Sequence, residues 1–162
     1  MSPLSDFGGP GYFWIQSQPK PGCVDEYNEW YESEHGPLRL KLDSFLNGYR
    51  YKSIDQDPPT YLTTYDLKKL SGFDALPYTV LRENRPLREQ KLLDQKLNFL
   101  DRRVYANIST RGQVEGPAPI MMSVAFVVKD EHVDELHRWY EEVQQSSPSS
   151  AATTLTRTGT HL

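Results

Sequence analysis

The stretch YFWIQSQPKPGCVDEYNEWYESEHGPLRL, residues 12–40, contains two different periodicities in succession. Its first seven residues have the aromatic and β-branched content of a strand, and the turn signal Pro19-Lys20-Pro21-Gly22 follows them. From Val24 onward, apolar and aromatic residues recur at helical spacing with acidic residues between them, until Gly36-Pro37 interrupts the pattern. The stretch therefore predicts a strand followed by an amphipathic helix that ends near His35.

The chain that follows completes a recognisable order of elements. GYRYKSI (48–54) and TYLTTYDL (60–67) are alternating, tyrosine-rich runs joined by a proline-containing loop, which predicts a β-hairpin. From Pro86 to Arg103 the apolar residues form one stripe, which predicts a helix: Leu93, Leu97, Leu100 and, just beyond, Val104. RVYANIS (103–109) then predicts a fourth strand. This β-α-β-β-α-β order predicts an α+β fold of the ferredoxin-like type with an antiparallel sheet over residues 11–112.

Two helices cover only one face of such a sheet. The uncovered face would carry Tyr and Trp side chains, and a large exposed apolar surface is normally buried against a second sheet. We therefore expect a homodimer that forms through the open sheet face.

An internal repeat marks a second segment of the chain. VDEYNEWYES (24–33) and VDELHRWYEE (133–142) lie 109 residues apart and share six of ten positions, including the rare tryptophan. The same offset places the first strand over MMSVAFV (121–127). Residues 120–144 thus predict the beginning of a second repeat, a buried strand followed by a helix.

The second repeat does not continue as the first does. Nine of the 15 residues from 146 to 160 are Ser or Thr, and such a composition predicts a disordered tail over 145–162. A shifted reading frame, a mis-spliced message and a genuine truncation would each produce this pattern.

Length, charge and cysteine content restrict the class of protein. The 162 residues carry a net charge of −4 without a basic cluster, which argues against a nucleic-acid partner. The single cysteine cannot form an internal disulfide, and the first residues lack the pattern of a signal peptide, so we expect a cytoplasmic protein. The longest apolar run, at 120–128, is too short for a bilayer, and we expect no membrane partner.

The segment EWYESEHGPLRL (29–40), with the Tyr-rich strand that ends in Tyr65-Asp66, resembles the EthD-like family of the dimeric α/β-barrel superfamily. The resemblance is particularly to fungal members with two tandem ferredoxin-like repeats. This resemblance covers about residues 11–112 and restarts at 120–143. The resemblance implies two sheets packed face to face and a small-molecule pocket between each sheet and its helices. Relatives include cofactor-free cyclases, isomerases and decarboxylases as well as small monooxygenases and haem proteins.

His35 is the leading catalytic candidate. Imidazole titrates near neutrality, and His35 lies one helical turn after Tyr31, on the side that also carries Tyr27. The resemblance implies that a histidine here acts as a general base while a tyrosine hydroxyl, from Tyr49, Tyr51 or Tyr65, holds an oxyanion. The structural alternative is that His35 caps the carbonyls at the end of its helix, where its charged form would be favoured.

The remaining candidates surround this histidine in the predicted pocket. Glu34 or Asp66 could serve as a base or orient the imidazole, although solvated surface charges are the alternative. The strand tyrosines 49, 51, 61 and 65 either line a pocket for a flat organic molecule or form sheet core and dimer interface. The predicted catalytic residues are His35, Tyr49, Tyr65 and Asp66. The predicted substrate-binding residues are Tyr27, Trp30, Tyr31 and Tyr51.

Other site types are poorly supported by the sequence. The pair Glu32-x-x-His35 has the spacing of di-iron ligands, but a second such pair is missing, so we expect no metal. Cys23 has acidic neighbours that oppose thiolate formation. The hydrolase elbow and the glycine-rich phosphate loops are absent from the sequence, and we expect no cofactor.

Together with these residues, the resemblance implies a cofactor-independent enzyme of secondary metabolism that cyclises, isomerises, dehydrates or decarboxylates a hydrophobic carbonyl compound. Two alternatives remain. One is an oxidoreductase of the EthD or monooxygenase type, and the other is a non-catalytic module that binds a ligand or a partner.

Overall fold

The computed structural model describes residues 8–55, 57–112, 116, 118–145 and 153–161. It divides into two compact units, residues 1–108 with 156–162 and residues 109–155. Within the described residues the strands are β1 (Gly11–Pro19), β2 (Tyr49–Lys52), β3 (Tyr61–Leu67), β4 (Leu97–Arg111) and β5 (Thr153–His161). The α-helices are α1 (Val24–Trp30), α2 (Gly36–Leu40), α3 (Leu76–Glu83), α4 (Leu87–Gln95) and α5 (Val133–Gln145).

The first unit is an α+β structure built on an antiparallel sheet. The strand order is β2-β3-β1-β4-β5, with β1 between β3 and β4. Residue Phe13 pairs with Tyr65 on one side and Val104 on the other, and all three side chains are buried. The predicted hairpin is confirmed, because Tyr49–Lys52 pairs with Tyr61–Thr64.

Alternation along β1 explains how the sheet acquires two different faces. Phe13 and Ile15 are buried on the face that carries the main hydrophobic core, while Tyr12 and Trp14 between them are only partly buried. Paired residues of adjacent strands point to the same face of a sheet. The strand register therefore places Tyr49 and Asp66 on the face that carries Tyr12 and Trp14.

The sequence predicts that the helix beginning at Val24 ends near His35, and this prediction is wrong. It passes through a π-helical turn, Tyr31–His35, and continues as α2 to Leu40. The Gly36 N–H donates to the carbonyl of Tyr31, five residues back, and this wider turn accommodates Pro37, which has no N–H to donate. His35 therefore lies inside a continuous helical run and not at a helix end.

The predicted second helix is shorter than its apolar stripe suggests. Helix α4 ends at Gln95, and Leu97 already begins β4, which pairs with the whole length of β1. Leu100 and Val104 therefore face the core from a strand. Cross-strand pairing with β1 outweighs the helical spacing of these residues, since most helical stability comes from tertiary packing.

The second unit contains the predicted helix α5 but differs from the sequence prediction on either side of it. Residues 118–129 contain no regular strand, and Met122 and Val127 in this stretch are exposed. A strand is stable only beside partner strands, which β1 has on both sides. Trp139 of α5 is 46% exposed, whereas its repeat equivalent Trp30 is 1% exposed.

Part of the tail that was expected to be disordered is a strand. Thr153–His161 forms β5, the neighbour of β4 in the sheet order. The β-branched threonines that dominate this stretch favour an extended backbone. The rest of the predicted tail, residues 146–152 and 162, lies outside the described residues.

Candidate functional site

A cavity of about 30 Å³ lies in the first unit between the sheet and its helices. Residues of β1, α1, the π-helical turn, α2, α3, α4 and β4 contribute to its wall. Its lining is apolar and aromatic apart from a small polar group, His35, Arg39, Glu89 and Arg102.

His35 is held between two aromatic rings on this wall. The ring centroids of Trp30 and Tyr31 lie 4.2 Å and 4.7 Å from that of the imidazole. The residue is 8% exposed. The π-helical turn places these three side chains in mutual contact, and π-turns occur frequently at functional sites.

Glu89 faces the imidazole from helix α4. Its Oε1 lies 3.5 Å from His35 Nδ1, and Glu89 is 2% exposed. The same oxygen lies 3.6 Å from Arg39 Nη2 and 3.8 Å from Arg85 Nε. Arg39 also donates to the His35 carbonyl over 3.0 Å. One buried carboxylate thus faces an imidazole and two guanidinium groups.

The environment determines the charge of both groups. Burial lowers the pKa of His35 to about 4, although Glu89 opposes this shift, so the imidazole is neutral at pH 7. Burial alone would raise the pKa of Glu89, but His35, Arg39 and Arg85 together hold it below its ordinary value. The pair is therefore a neutral imidazole beside an ionised carboxylate.

Several polar atoms on this wall make no hydrogen bond. They include His35 Nδ1, Glu89 Oε1, Arg39 Nε and the Tyr31 hydroxyl. Burial raises the pKa of the Tyr31 phenol well above its ordinary value, so it remains a proton donor. Unsatisfied buried polar groups cost stability and are concentrated at sites with a function.

Four of the eight residues that the sequence nominates are brought together here. Tyr27, Trp30, Tyr31 and His35 all line the cavity. The Tyr27 hydroxyl is 2.6 Å from Ser17 Oγ, which fixes the orientation of its ring.

The other four do not line the cavity. Tyr65 lies on the helix-covered face but packs in the core, 6.1 Å from Phe13 and 5.4 Å from Phe45 between ring centroids. Tyr49, Tyr51 and Asp66 are on the opposite sheet face.

Each acidic candidate already has a different partner. The Asp66 carboxylate accepts a hydrogen bond from the Asn47 amide. Glu34, like Glu29, pairs with Arg88 on helix α4. Neither Asp66 nor Glu34 orients His35, since Glu89 occupies that position.

Sequence reasoning did not identify Glu89, Arg39 or Arg102. Glu89 precedes Leu92 by three positions and Leu93 by four, so it falls on the apolar face of α4. An acidic residue on a face that packs against the core is a signal of a buried charge with partners. Arg39 follows His35 by four residues, which places both on one side of their helix.

No group of three or more His, Cys, Asp or Glu side chains suited to a metal ion occurs among the described residues. Cys23 is a half-buried free thiol at the start of α1. Within the described chain, the helices are all too short or too polar to cross a bilayer.

Comparison with known proteins gives no family assignment: the chain matches no protein-family model and no curated protein.

Proposed function

We propose that this protein is a cofactor-independent enzyme that moves a proton on a hydrophobic carbonyl compound, with His35 as general acid and base. One observation carries the proposal. A neutral, buried imidazole lines a cavity and has an ionised carboxylate, Glu89, 3.5 Å from its Nδ1. This is the arrangement in which histidine accepts a proton, because the carboxylate stabilises the imidazolium that forms.

The geometry supports a specific division of labour within the ring. With Nδ1 facing Glu89, Nε2 is the nitrogen that is left to accept a proton from the carbon next to the substrate carbonyl. The electron pair of that C–H bond moves to the carbonyl oxygen and forms an enolate. Return of the proton to another atom completes an isomerisation, whereas attack of the enolate carbon on a second carbonyl completes a cyclisation.

Tyr31 is the proposed donor to the enolate oxygen. Its hydroxyl is buried beside Thr63 and Tyr65, makes no hydrogen bond of standard geometry, and belongs to a ring 4.7 Å from His35. A protonated phenol stabilises negative charge that develops in a site shielded from water. This assignment replaces Tyr49, which is on the opposite sheet face, and Tyr65, which packs in the core beside Tyr31 and does not line the cavity.

The proposal extends to the fold family and the assembly. The order β2-β3-β1-β4 with helices between β1 and β2 and between β3 and β4 supports a ferredoxin-like repeat of the EthD-like type. The partly buried aromatic side chains Tyr12, Trp14 and Tyr51 on the other sheet face support a homodimer. We also propose a cytoplasmic location, where the free thiol of Cys23 stays reduced.

The proposal is tested by deuterium incorporation into 2-tetralone, an aromatic ketone with exchangeable protons next to its carbonyl. In deuterated buffer we expect the protein to accelerate exchange above the buffer rate and His35→Gln to abolish the acceleration. His132→Gln, which changes an exposed histidine paired with Glu135, should behave as the unmodified protein.

Circular dichroism would verify that both variants fold. Equal exchange by the unmodified protein and His35→Gln would refute the catalytic role of His35. Binding of 2-tetralone to both proteins without accelerated exchange would count against proton transfer and favour the non-catalytic alternative.

A further inference from the structure

The cavity wall carries more positive than negative charge. Arg39 and Arg102 contribute two guanidinium groups, whereas Glu89 contributes the single carboxylate and His35 is neutral. Arg85, which lies just before α4 and faces Glu89, adds a further positive charge nearby. An uncompensated cation in an apolar surrounding is unfavourable unless an anion accompanies it.

Arg102 has no counter-ion among the residues that the structure describes. It lies on β4 opposite Ile15, so it points to the helix-covered face of the sheet. Within the described chain it makes no ion pair and no side-chain hydrogen bond. Burial lowers the pKa of Arg102, Tyr78 opposes this shift, and the charges of Arg85 and Arg39 add to it. By contrast the next residue, Arg103, points to the other face and pairs with Asp101 over 2.7 Å.

Arg39, the second guanidinium on the wall, has one donor atom that is not used by Glu89 or by the His35 carbonyl. Arg39 is 6% exposed, and its Nε makes no hydrogen bond. Guanidinium groups bind carboxylates in a planar, bidentate manner that an ammonium cannot reproduce. The rest of the wall is aromatic or aliphatic and suits the body of an aromatic molecule.

We propose that the ligand of this cavity is a hydrophobic aromatic carboxylate whose negative group is bound by Arg102, with Arg39 beside it. This inference rests on the proposed function, since it specifies the substrate of the same site: an aromatic keto acid in place of a neutral ketone. A volume of about 30 Å³ holds little more than a water molecule, so the ligand displaces side chains on entry. The partly exposed Leu93, Leu97 and Leu100 are the lining residues that move with least loss of core packing.

The test compares 2-naphthoate with its neutral isostere 2-naphthamide by isothermal titration calorimetry. We expect the carboxylate to bind at least about tenfold more tightly, as for a hydrogen bond to a charged group. Arg102→Gln should remove this preference, Arg102→Lys should retain part of it, and the adjacent control Arg103→Gln should leave it unchanged.

Equal affinity for the two compounds, or no binding of 2-naphthoate, would overturn the proposal. An equal loss of the preference for the carboxylate in Arg102→Gln and Arg103→Gln would also overturn it. The outcome is independent of the proton-transfer test. Loss of preference with His35-dependent exchange intact would refute only the anionic ligand, whereas carboxylate binding without exchange would refute only the catalysis.

Discussion

His35 Nδ1 lies 3.5 Å from Glu89 Oε1, and both residues are buried. His35 comes from the π-helical turn after α1, and Glu89 comes from α4, 54 residues later in the chain. The two therefore meet only when the helices pack on the sheet. The proposed chemistry and the stability of the fold would therefore depend on the same contact.

The buried imidazole should make the protein sensitive to mild acid. The pKa of His35 is about 4 in the folded protein against an ordinary 6.5, so the unfolded chain binds a proton first as the pH falls. The free energy of unfolding should therefore fall by about 2 kcal/mol between pH 7 and pH 5 from this residue alone. Urea denaturation of the unmodified protein and of His35→Gln at both pH values measures this loss.

In His35→Gln the free energy of unfolding should fall by about 2 kcal/mol less between pH 7 and pH 5 than in the unmodified protein. His132→Gln is the matched control and should retain the full loss, because it leaves His35 in place. An unchanged pH dependence in His35→Gln would contradict the assignment of a depressed pKa to this imidazole.

Replacing the carboxylate should affect both stability and proton transfer. Glu89→Gln leaves Arg39 and Arg85 without their common anion, and loss of one partner of a buried ion pair costs about 3 kcal/mol. The variant also removes the group that favours the imidazolium, so exchange of 2-tetralone should slow by about 10- to 100-fold.

Glu89→Asp should recover part of the exchange rate because it restores the charge. Glu83→Gln, on the exposed part of α3, is the control for a lost surface carboxylate. Exchange that proceeds in Glu89→Gln at the full rate would show that Glu89 has only a structural role.

Gly11 is the position on β1 where a side chain cannot be added. A Cβ there would lie 2.7 Å from the carbonyl oxygen of Tyr105, which belongs to the backbone of the neighbouring strand and cannot move away alone. Gly11→Ala should lower the free energy of unfolding by about 2 kcal/mol. Gly9→Ala, where a Cβ would have no neighbour within 4 Å, should change it little, and equal urea midpoints for the two variants would contradict the register of β1 and β4.

The open sheet face should mediate dimerisation. Light scattering coupled to gel filtration should give about twice the chain mass of 18.7 kDa. Tyr51→Glu introduces a charge into this face and should yield monomers, because an unpaired charge in a buried interface is costly. Val80→Glu, on the exposed side of α3, should remain dimeric, and a monomeric unmodified protein would refute the proposed assembly.

The sequence predicts the parts of the fold whose signal is local. Alternation in residues 12–18 and 60–67, together with the turn between the hairpin strands, is sufficient for β1 and β3. The boundary between α4 and β4 is not predictable in this way, since Leu97 and Leu100 fit both periodicities and pairing with β1 decides between them. The same applies to 120–128, where an apolar run without partner strands stays irregular.

For the site, helical spacing correctly grouped His35 with Tyr27 and Tyr31. It could not show that Tyr49 and Tyr65 lie on opposite faces of the sheet, because the register between separate strands is set by tertiary pairing. Glu89 and Arg102 become functional candidates only through contacts between distant segments.

The most direct test of the account is a nuclear magnetic resonance titration of His35 in protein labelled with ¹⁵N-histidine. The account predicts a neutral ring at pH 7 with its proton on Nδ1, facing Glu89, and a titration midpoint of about 4. In Glu89→Gln the midpoint should fall further, since the carboxylate supports protonation. A midpoint at or above the ordinary 6.5, or a proton on Nε2 at pH 7, would contradict the proposal that His35 is a preformed proton acceptor.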